Sequence, residues 1–435
     1  MKLKVKEVFD IGGVVKTPSS KSYSHRAIII ASLASSKSKI YDALLSEDTL
    51  ASIEVCKSLG AKINFKNDHL EIIGTSKIHN SSNKPIYLAN SGTTLRLITS
   101  IAGLSDNEVT LTGDESLKTR PMGPLIDALE PLGVKIKSSN EKAPLTVYPG
   151  YIGGETTISG GISSQFISSL LISAPLSKKG LDLFVLPEFI SQPYVNMTID
   201  IMNKFGVKVK NATFTKHDDC KKELKKCGIE NFNVTPQSYK SIDYVVEGDY
   251  SSASYILAAV AILGGKVKLL NLFKDSKQGD KLILSILEQM GCKIIINDDN
   301  VIIESDGNLN GIDIDLSDAP DLLITVAILG AISKGKTKIS GVKHGRFKET
   351  DRIATTCLEL KKLNCDVEEL EDGMIIGDGV SSGTVDSHKD HRLAMAFSLL
   401  GLKHDVTVLN GEVFNVSFPN YIEVMAKIGV NLELK

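Results

Sequence analysis

Six times along the chain an amphipathic stretch with helical spacing runs into a glycine or asparagine, then into a short run rich in valine and isoleucine. The junctions read Ser58-Leu59-Gly60-Ala61-Lys62-Ile63, Pro131-Leu132-Gly133-Val134-Lys135-Ile136, Lys204-Phe205-Gly206-Val207-Lys208-Val209, Gln289-Met290-Gly291-Cys292-Lys293-Ile294, Lys362-Leu363-Asn364-Cys365-Asp366-Val367 and Lys427-Ile428-Gly429-Val430-Asn431-Leu432. Glycine and asparagine accept the left-handed backbone that ends a helix, so each junction predicts a helix, a cap and a strand. Successive caps lie 73, 73, 85, 73 and 65 residues apart. Between them sits a second series of polar or glycine-rich turns that open apolar helices, at Pro18 to Ser22, Asn90 to Thr93, Gly160 to Gln165, Gly248 to Ser252, Ala319 to Asp321 and Lys389 to Arg392. Marked by Lys21, Gly92, Ser163, Ser251, Asp321 and His391, its steps are 71, 71, 88, 70 and 70.

Two series with one period predict an α/β protein of six repeated βαβαββ-type units, three to a domain. The long step holds a Lys-rich stretch, His217 to Cys227, that reads as an insertion or connector near the domain boundary. Two domains also suit 435 residues, because a single hydrophobic core stops growing well below that length.

A net charge of -2 with 23% charged residues argues against a nucleic-acid partner. It leaves the capture of any anion to local clusters of Lys and Arg. The cysteines show no CxxC spacing and read as reduced thiols, and Cys220, Cys227 and His217 read as solvated surface rather than a metal cluster. Met-Lys-Leu-Lys-Val-Lys-Glu lacks the apolar core of a signal peptide, and the longest apolar runs, Tyr255 to Leu263 and Leu322 to Ile332, are too short to span a bilayer. A cytoplasmic location is therefore expected. Neither a dinucleotide fingerprint nor a P-loop occurs, and no cofactor or metal is expected.

The chemistry should gather at the second series, because a helix N-terminus presents unsatisfied N-H groups and the positive end of the macrodipole. Lys21-Ser22-Tyr23-Ser24-His25-Arg26 places two cations within a turn and a half. Asn90-Ser91-Gly92-Thr93-Thr94-Leu95-Arg96 has a glycine that lets a ligand approach the backbone, and Gly160-Gly161-Ile162-Ser163-Ser164-Gln165 offers hydroxyls and backbone donors. Lys118-Thr119-Arg120-Pro121 carries an arginine able to grip a carboxylate or phosphate. Ser191-Gln192-Pro193-Tyr194, Pro320-Asp321, Lys348-Glu349-Thr350-Asp351-Arg352 and His388-Lys389-Asp390-His391-Arg392 complete the set. Taken singly, each is equally an ordinary helix start with a cap and local ion pairs.

Taken in order from Lys21 to Pro419, these stretches resemble the enolpyruvyl transferase superfamily and, within it, the family that acts on 3-phosphoshikimate. The resemblance implies a two-domain inside-out α/β barrel, with a first-lobe domain at residues 17-246, a second-lobe domain made of 1-16 plus 247-435, and an active site in the cleft between them. It implies transfer of the enolpyruvyl group of phosphoenolpyruvate to the 5-hydroxyl of 3-phosphoshikimate by addition and then elimination, in a monomer. Carried over by motif, Lys21, Ser22, Arg26, Ser163, Ser164, Gln165, Ser191, Tyr194, Asp321 and Lys348 would hold 3-phosphoshikimate, with Arg26 on its carboxylate and the serines on its phosphate. Lys21, Gly92, Arg120, Gln165, Lys348, Arg352 and Arg392 would hold phosphoenolpyruvate. Asp321 would be the base, Glu349 the proton donor to C3, and Lys21 a group touching both substrates. The loop Asp114 to Thr119 lacks the reactive cysteine of the sister family that uses UDP-N-acetylglucosamine. Two positions depart from the pattern: Val416 stands where many members carry lysine, and His344 where some carry asparagine. Gly92 is retained, which implies sensitivity to glyphosate.

Overall fold

The computed structural model describes residues 1–75, 77–214 and 229–435, and the Lys-rich stretch with His217, Cys220 and Cys227 lies outside the described residues. The chain divides into two compact units. The terminal unit comprises Met1–Ser20 and Glu247–Lys435, and the central unit Lys21–Val246. Thr17 was the expected crossing, but the chain stays with the terminal unit through Ser20. Thr17 N bonds Leu270 O at 3.1 Å, Ser20 N bonds Glu247 O at 2.7 Å, and Ser19 bridges Gly248.

The central unit contains helices α1 (Lys21–Ser32), α2 (Glu47–Ser58), α3 (Gly92–Ala102), α4 (Gly123–Leu129), α5 (Ser164–Ser173) and α6 (Gln192–Lys204). The terminal unit contains α7 (Tyr250–Leu263), α8 (Ile283–Met290), α9 (Leu323–Ile332), α10 (Arg352–Lys362), α11 (His391–Ser398) and α12 (Tyr421–Lys427). Residues of the second sequence series open the odd-numbered helices, and the even-numbered ones end at the first series. All six caps take positive φ: Gly60 110°, Gly133 97°, Gly206 84°, Gly291 114°, Asn364 58° and Gly429 96°. In the first five, the N-H after the cap reaches back to a carbonyl five residues earlier, as in Ala61 N to Cys56 O at 3.0 Å and Cys292 N to Leu287 O at 2.9 Å. That closure satisfies carbonyls the helix itself leaves open.

Six four-stranded sheets share one order. In one of them Gly154–Ser159 runs parallel to Leu181–Leu186, which pairs antiparallel with Ile229–Val234, and that strand pairs antiparallel with Lys210–Phe214. The order is the expected βαβαββ unit, but three copies are not continuous in sequence. Gly12–Lys16 precedes α1 yet pairs in parallel with Gly265–Leu270 of the terminal unit. Asp243–Val245 precedes α7 yet pairs with Lys37–Tyr41 of the central unit. Each crossing thus leaves its last strand behind and exchanges it for the other's. The N-terminal strand Lys2–Val8 closes the last copy, between Val406–Leu409 and Val430–Leu434.

The odd-numbered helices form the interior. Every residue of α7 except Leu263, and every residue of α9 except Ile332, is buried. A helix apolar on all sides requires such a core. The strands alternate, as in Leu181–Leu186, with one face on the helices and the other toward solvent. Helices therefore lie inside and sheets outside in each unit. Small hydroxyl residues bring the inner helices together, with Ser100 Oγ 2.7 Å from Ser169 Oγ and Ser254 Oγ 3.3 Å from Thr325 Oγ1. No described helix is long and apolar enough to cross a membrane. Cys56, Cys292, Cys357 and Cys365 are buried free thiols whose pKa burial pushes up, to about 12 for Cys56 and Cys357 and about 11 for Cys365.

The caps differ in what surrounds them, which yields a graded test. A Cβ at Gly133 would lie 2.5 Å from the Gly150 carbonyl oxygen, whereas at Gly291 nothing comes closer than 3.5 Å. Gly291→Ala should lose about 1 kcal/mol from positive φ alone, and Gly133→Ala about 2 to 3 kcal/mol from φ and backbone clash together. Urea denaturation of both variants measures the difference, and equal losses would remove the steric part of the account.

Candidate functional site

In the central unit the expected residues gather at the starts of α1, α3, α5 and α6. Ser163 caps α5, its Oγ accepting from Gln165 N at 3.3 Å. Arg96 of α3 donates through one nitrogen to Ser163 Oγ at 3.3 Å and Gln165 Oε1 at 3.0 Å, and its guanidinium lies 5.2 Å over the Phe166 ring. Gln165 Nε2 in turn donates to Thr93 Oγ1 at 3.0 Å. These bonds tie the first turns of α3 and α5 together, so their N-H groups open on one region.

Gly92 begins α3, and a Cβ there would sit 2.2 Å from a terminal nitrogen of Arg120. The missing side chain is what allows the guanidinium across the helix start. Arg120 is steadied by Asn90 Oδ1 at 2.8 Å. Lys21 pairs with Asp48 at 2.9 Å, both side chains largely enclosed.

Arg26 lies deeper than a solvent-facing anchor, at 1% exposure. It donates to Thr198 Oγ1 at 2.7 Å, to Ser22 O at 3.0 Å and to Tyr194 O at 3.2 Å, linking α1 to the start of α6. Burial lowers its pKa to about 10, which leaves it charged at neutral pH. Ser191, just before α6, holds φ 55°, a left-handed conformation unusual outside glycine and asparagine. Ser164 is buried in the first turn of α5.

The terminal unit gathers the carboxylates and the remaining cations. Asp321 Oδ1 accepts from Arg352 at 2.8 Å and faces Lys348 Nζ at 3.6 Å, and its Oδ2 accepts from Arg392 at 2.7 Å. Arg352 also binds Glu349 at 2.6 Å and Asp390 at 2.8 Å. Burial alone would lower the pKa of Arg352, but Asp390, Glu349 and Asp321 outweigh it and hold the group above its ordinary value. Asp390 caps α11, accepting from Arg392 N at 2.9 Å, so the residue that fixes Arg352 also sets where Arg392 begins.

His344 is buried, and burial followed by the charge of Lys348 lowers its pKa to about 4, leaving a neutral imidazole. Val416 ends a short turn, Gly411–Val416, before Phe418, which meets Tyr421 edge-on with ring centroids 5.3 Å apart. The site cluster thus has no cation from that segment.

Several participants escaped the motif reading. Arg96 and Asp390 stand in quoted motifs without a role, and Asp48 and Asp280 lie outside every motif. Asp48 and Asp280 lie far in sequence from the groups they serve, so no local pattern marks them. Asp390 was legible as an N-cap preceding a helix.

His25, between Lys21 and Arg26, is fully buried against Ser52 Oγ at 2.7 Å, and burial lowers its pKa to about 3. The unfolded chain, with an ordinary histidine, binds a proton that the folded chain refuses. Stability associated with His25 is complete above about pH 6.5 and lost as pH falls toward 3, on the order of a few kcal/mol. His25→Asn should flatten the decline of the unfolding free energy between about pH 7 and pH 4. Identical slopes for the two proteins would show that His25 is not the source.

Comparison with known proteins bears on this arrangement. Residues 5–425 match the family model described as EPSP synthase (3-phosphoshikimate 1-carboxyvinyltransferase). The chain is 68% identical to the 3-phosphoshikimate 1-carboxyvinyltransferase of Methanobrevibacter smithii and 50% identical to that of Methanothermobacter thermautotrophicus, each pair covering 100% of both chains. Among solved structures, the EPSP synthase of Acinetobacter baumannii superimposes with a TM-score of 0.78 at 25% identity, covering 99% of each chain.

Proposed function

The chain belongs to the EPSP synthase family and, as a transferase of aromatic amino-acid biosynthesis by the shikimate route, moves the enolpyruvyl group of phosphoenolpyruvate to 3-phosphoshikimate; we propose how its residues divide that work. The observation that carries the division is Asp321, a carboxylate held by Arg352 and Arg392 with Lys348 beside it. We assign those three cations, with Arg120, Gly92, Gln165 and Lys21, to the donor's carboxylate and phosphate. Ser22, Arg26, Ser163, Ser164, Ser191 and Tyr194 hold the acceptor, its phosphate on the serines and its carboxylate toward Arg26.

The acceptor's 5-hydroxyl adds to C2 of the donor while C3 takes a proton, giving a tetrahedral carbon. Loss of a proton from C3 and of phosphate from C2 then restores the double bond. Asp321 receives the hydroxyl proton, Glu349 serves C3, and Lys21 contacts both substrates. An incoming donor competes with Asp321 for the guanidinium groups of Arg352 and Arg392. As those cations turn to the donor, the carboxylate loses its stabilising partners and becomes a stronger base. The cations meanwhile stabilise the charge on the departing phosphate. His344, neutral and beside Lys348, stands in for a polar amide, and Val416 leaves the donor's phosphate with one cation fewer.

The near-neutral charge supports small-molecule substrates without nucleic acid. We propose that the chain acts in the cytoplasm and as a monomer.

Phosphate release from phosphoenolpyruvate, without added metal, should occur with 3-phosphoshikimate and not with UDP-N-acetylglucosamine. Asp321→Asn should lower kcat by at least about a hundredfold while both ligands still bind; normal turnover by that variant would end its assignment as base. Glyphosate should compete with phosphoenolpyruvate, and Gly92→Ala should weaken both, glyphosate the more, because the added methyl displaces Arg120. Unchanged inhibition constants in the variant would separate Arg120 from the inhibitor's site.

A further inference from the structure

One buried acid beside these residues has no part in the chemistry above. Asp280 lies in the short turn Gly279–Leu282 that leads into α8, and only 2% of it is exposed. One of its carboxylate oxygens accepts from Ser251 Oγ, in the first turn of α7. The same Ser251 oxygen accepts from a terminal nitrogen of Arg392 at 3.4 Å, and that nitrogen donates to Asp321 Oδ2 at 2.7 Å. Asp280, Ser251, Arg392 and Asp321 therefore form one chain of contacts drawn from four separate helix starts. We propose that Asp280, acting through Ser251, is a positioning residue that controls how far the Arg392 guanidinium is available to the donor; this rests on the reading of Arg392 as a donor ligand.

The charged groups around Asp280 give the control a direction. Asp321 and Asp249 face it with like charge and Arg392 with opposite charge, while Asp249, the cap of α7, is itself bound to Ser252 at 2.8 Å. Gln278, two residues earlier, is occupied by Glu247 and the Gly248 carbonyl. Burial, with Asp321 as the next cause, pushes the Asp280 carboxyl up to about 7. Below that pH the group is neutral, and Asp321 and the donor compete for Arg392 without a second negative charge behind it. Above it, a second buried negative charge holds the guanidinium back and opposes an anionic ligand. A packing role for Asp280 would carry no such dependence on pH.

The test is the KM for phosphoenolpyruvate and kcat of the full-length protein at saturating 3-phosphoshikimate, from about pH 6 to about pH 8.5. Asp280→Asn keeps a partner for Ser251 and removes the titration. The ratio of wild-type KM to variant KM should be near one at the acid end and rise to roughly three- to tenfold at the alkaline end, with the kcat ratio level throughout. Parallel KM profiles would overturn the proposal. Should Asp280→Asn fail to fold, Ser251→Ala breaks the same link and must show the same divergence, and its absence would count equally against the idea. Arg392→Lys separates the two levels. If it leaves KM unchanged, the assignment of Arg392 to the donor fails; if it raises KM while the Asp280 variant stays parallel to wild type, only the positioning role fails.

Discussion

A guanidinium buried at the start of α10 governs the terminal unit's chemistry. Arg352 binds Asp390, Glu349 and Asp321 at 2.6 to 2.8 Å, and its side chain is only 2% exposed. Three acids drawn so close would repel one another by several kcal/mol without it, and removing one partner of a buried ionic group is far more costly than never building it. Asp390 caps the helix that begins with His391 and Arg392, so the same bond that neutralises charge also sets a neighbouring cation in place. Position and charge balance are thus one problem with one solution. Behind Arg352, Glu359 is fully buried on the next turns of α10 and bonds His388 at 2.6 Å and the Asp386 N-H at 3.0 Å. Two residues of one helix therefore grip the loop before α11 from both sides.

The central unit mixes cations with neutral donors: Lys21 and Arg26 of α1, and Arg120, stand with hydroxyls, an amide and backbone N-H groups suited to surround an oxyanion. Arg96 binds two of these groups internally and stacks on an aromatic ring, so its part is to hold the cradle's shape. Gly92 supplies space where a side chain would collide with Arg120. The terminal unit differs in pairing its acids and cations directly, as Asp321 does with Arg352 and Arg392.

The topology explains why these groups come from distant stretches of chain. Six similar units each bring one inner helix start, and the two crossings exchange their first strands, so one sheet in each unit is completed by a strand distant in sequence. A parallel strand pair ordinarily needs its own crossover helix, and here each edge strand is supplied by the part of the chain about to leave. Both crossings are thereby built into a sheet, and the residues just beyond them, Lys21 and Tyr250, open α1 and α7.

The repeat period, the six caps, the helix-opening turns and the cationic motifs were all legible in the amino-acid order, because they depend on local rules: glycine or asparagine for positive φ, side-chain oxygens before a helix, apolar residues on an inner face. Position 364 shows how far such rules reach, since an asparagine there takes a positive φ as the glycines do elsewhere. The family resemblance then supplied the candidate site residues. What the order did not disclose was partnership. That Asp48 would meet Lys21, that Arg96 would bind Ser163 and Gln165, that Arg26 would be enclosed at 1% exposure, and that Asp280 would stand behind Arg392 all depend on separations of 27 to 172 residues closed only by packing. The strand exchange was hidden for the same reason: each edge strand pairs with a sheet its sequence neighbours do not join, and hydrogen bonding between distant segments leaves no periodic mark.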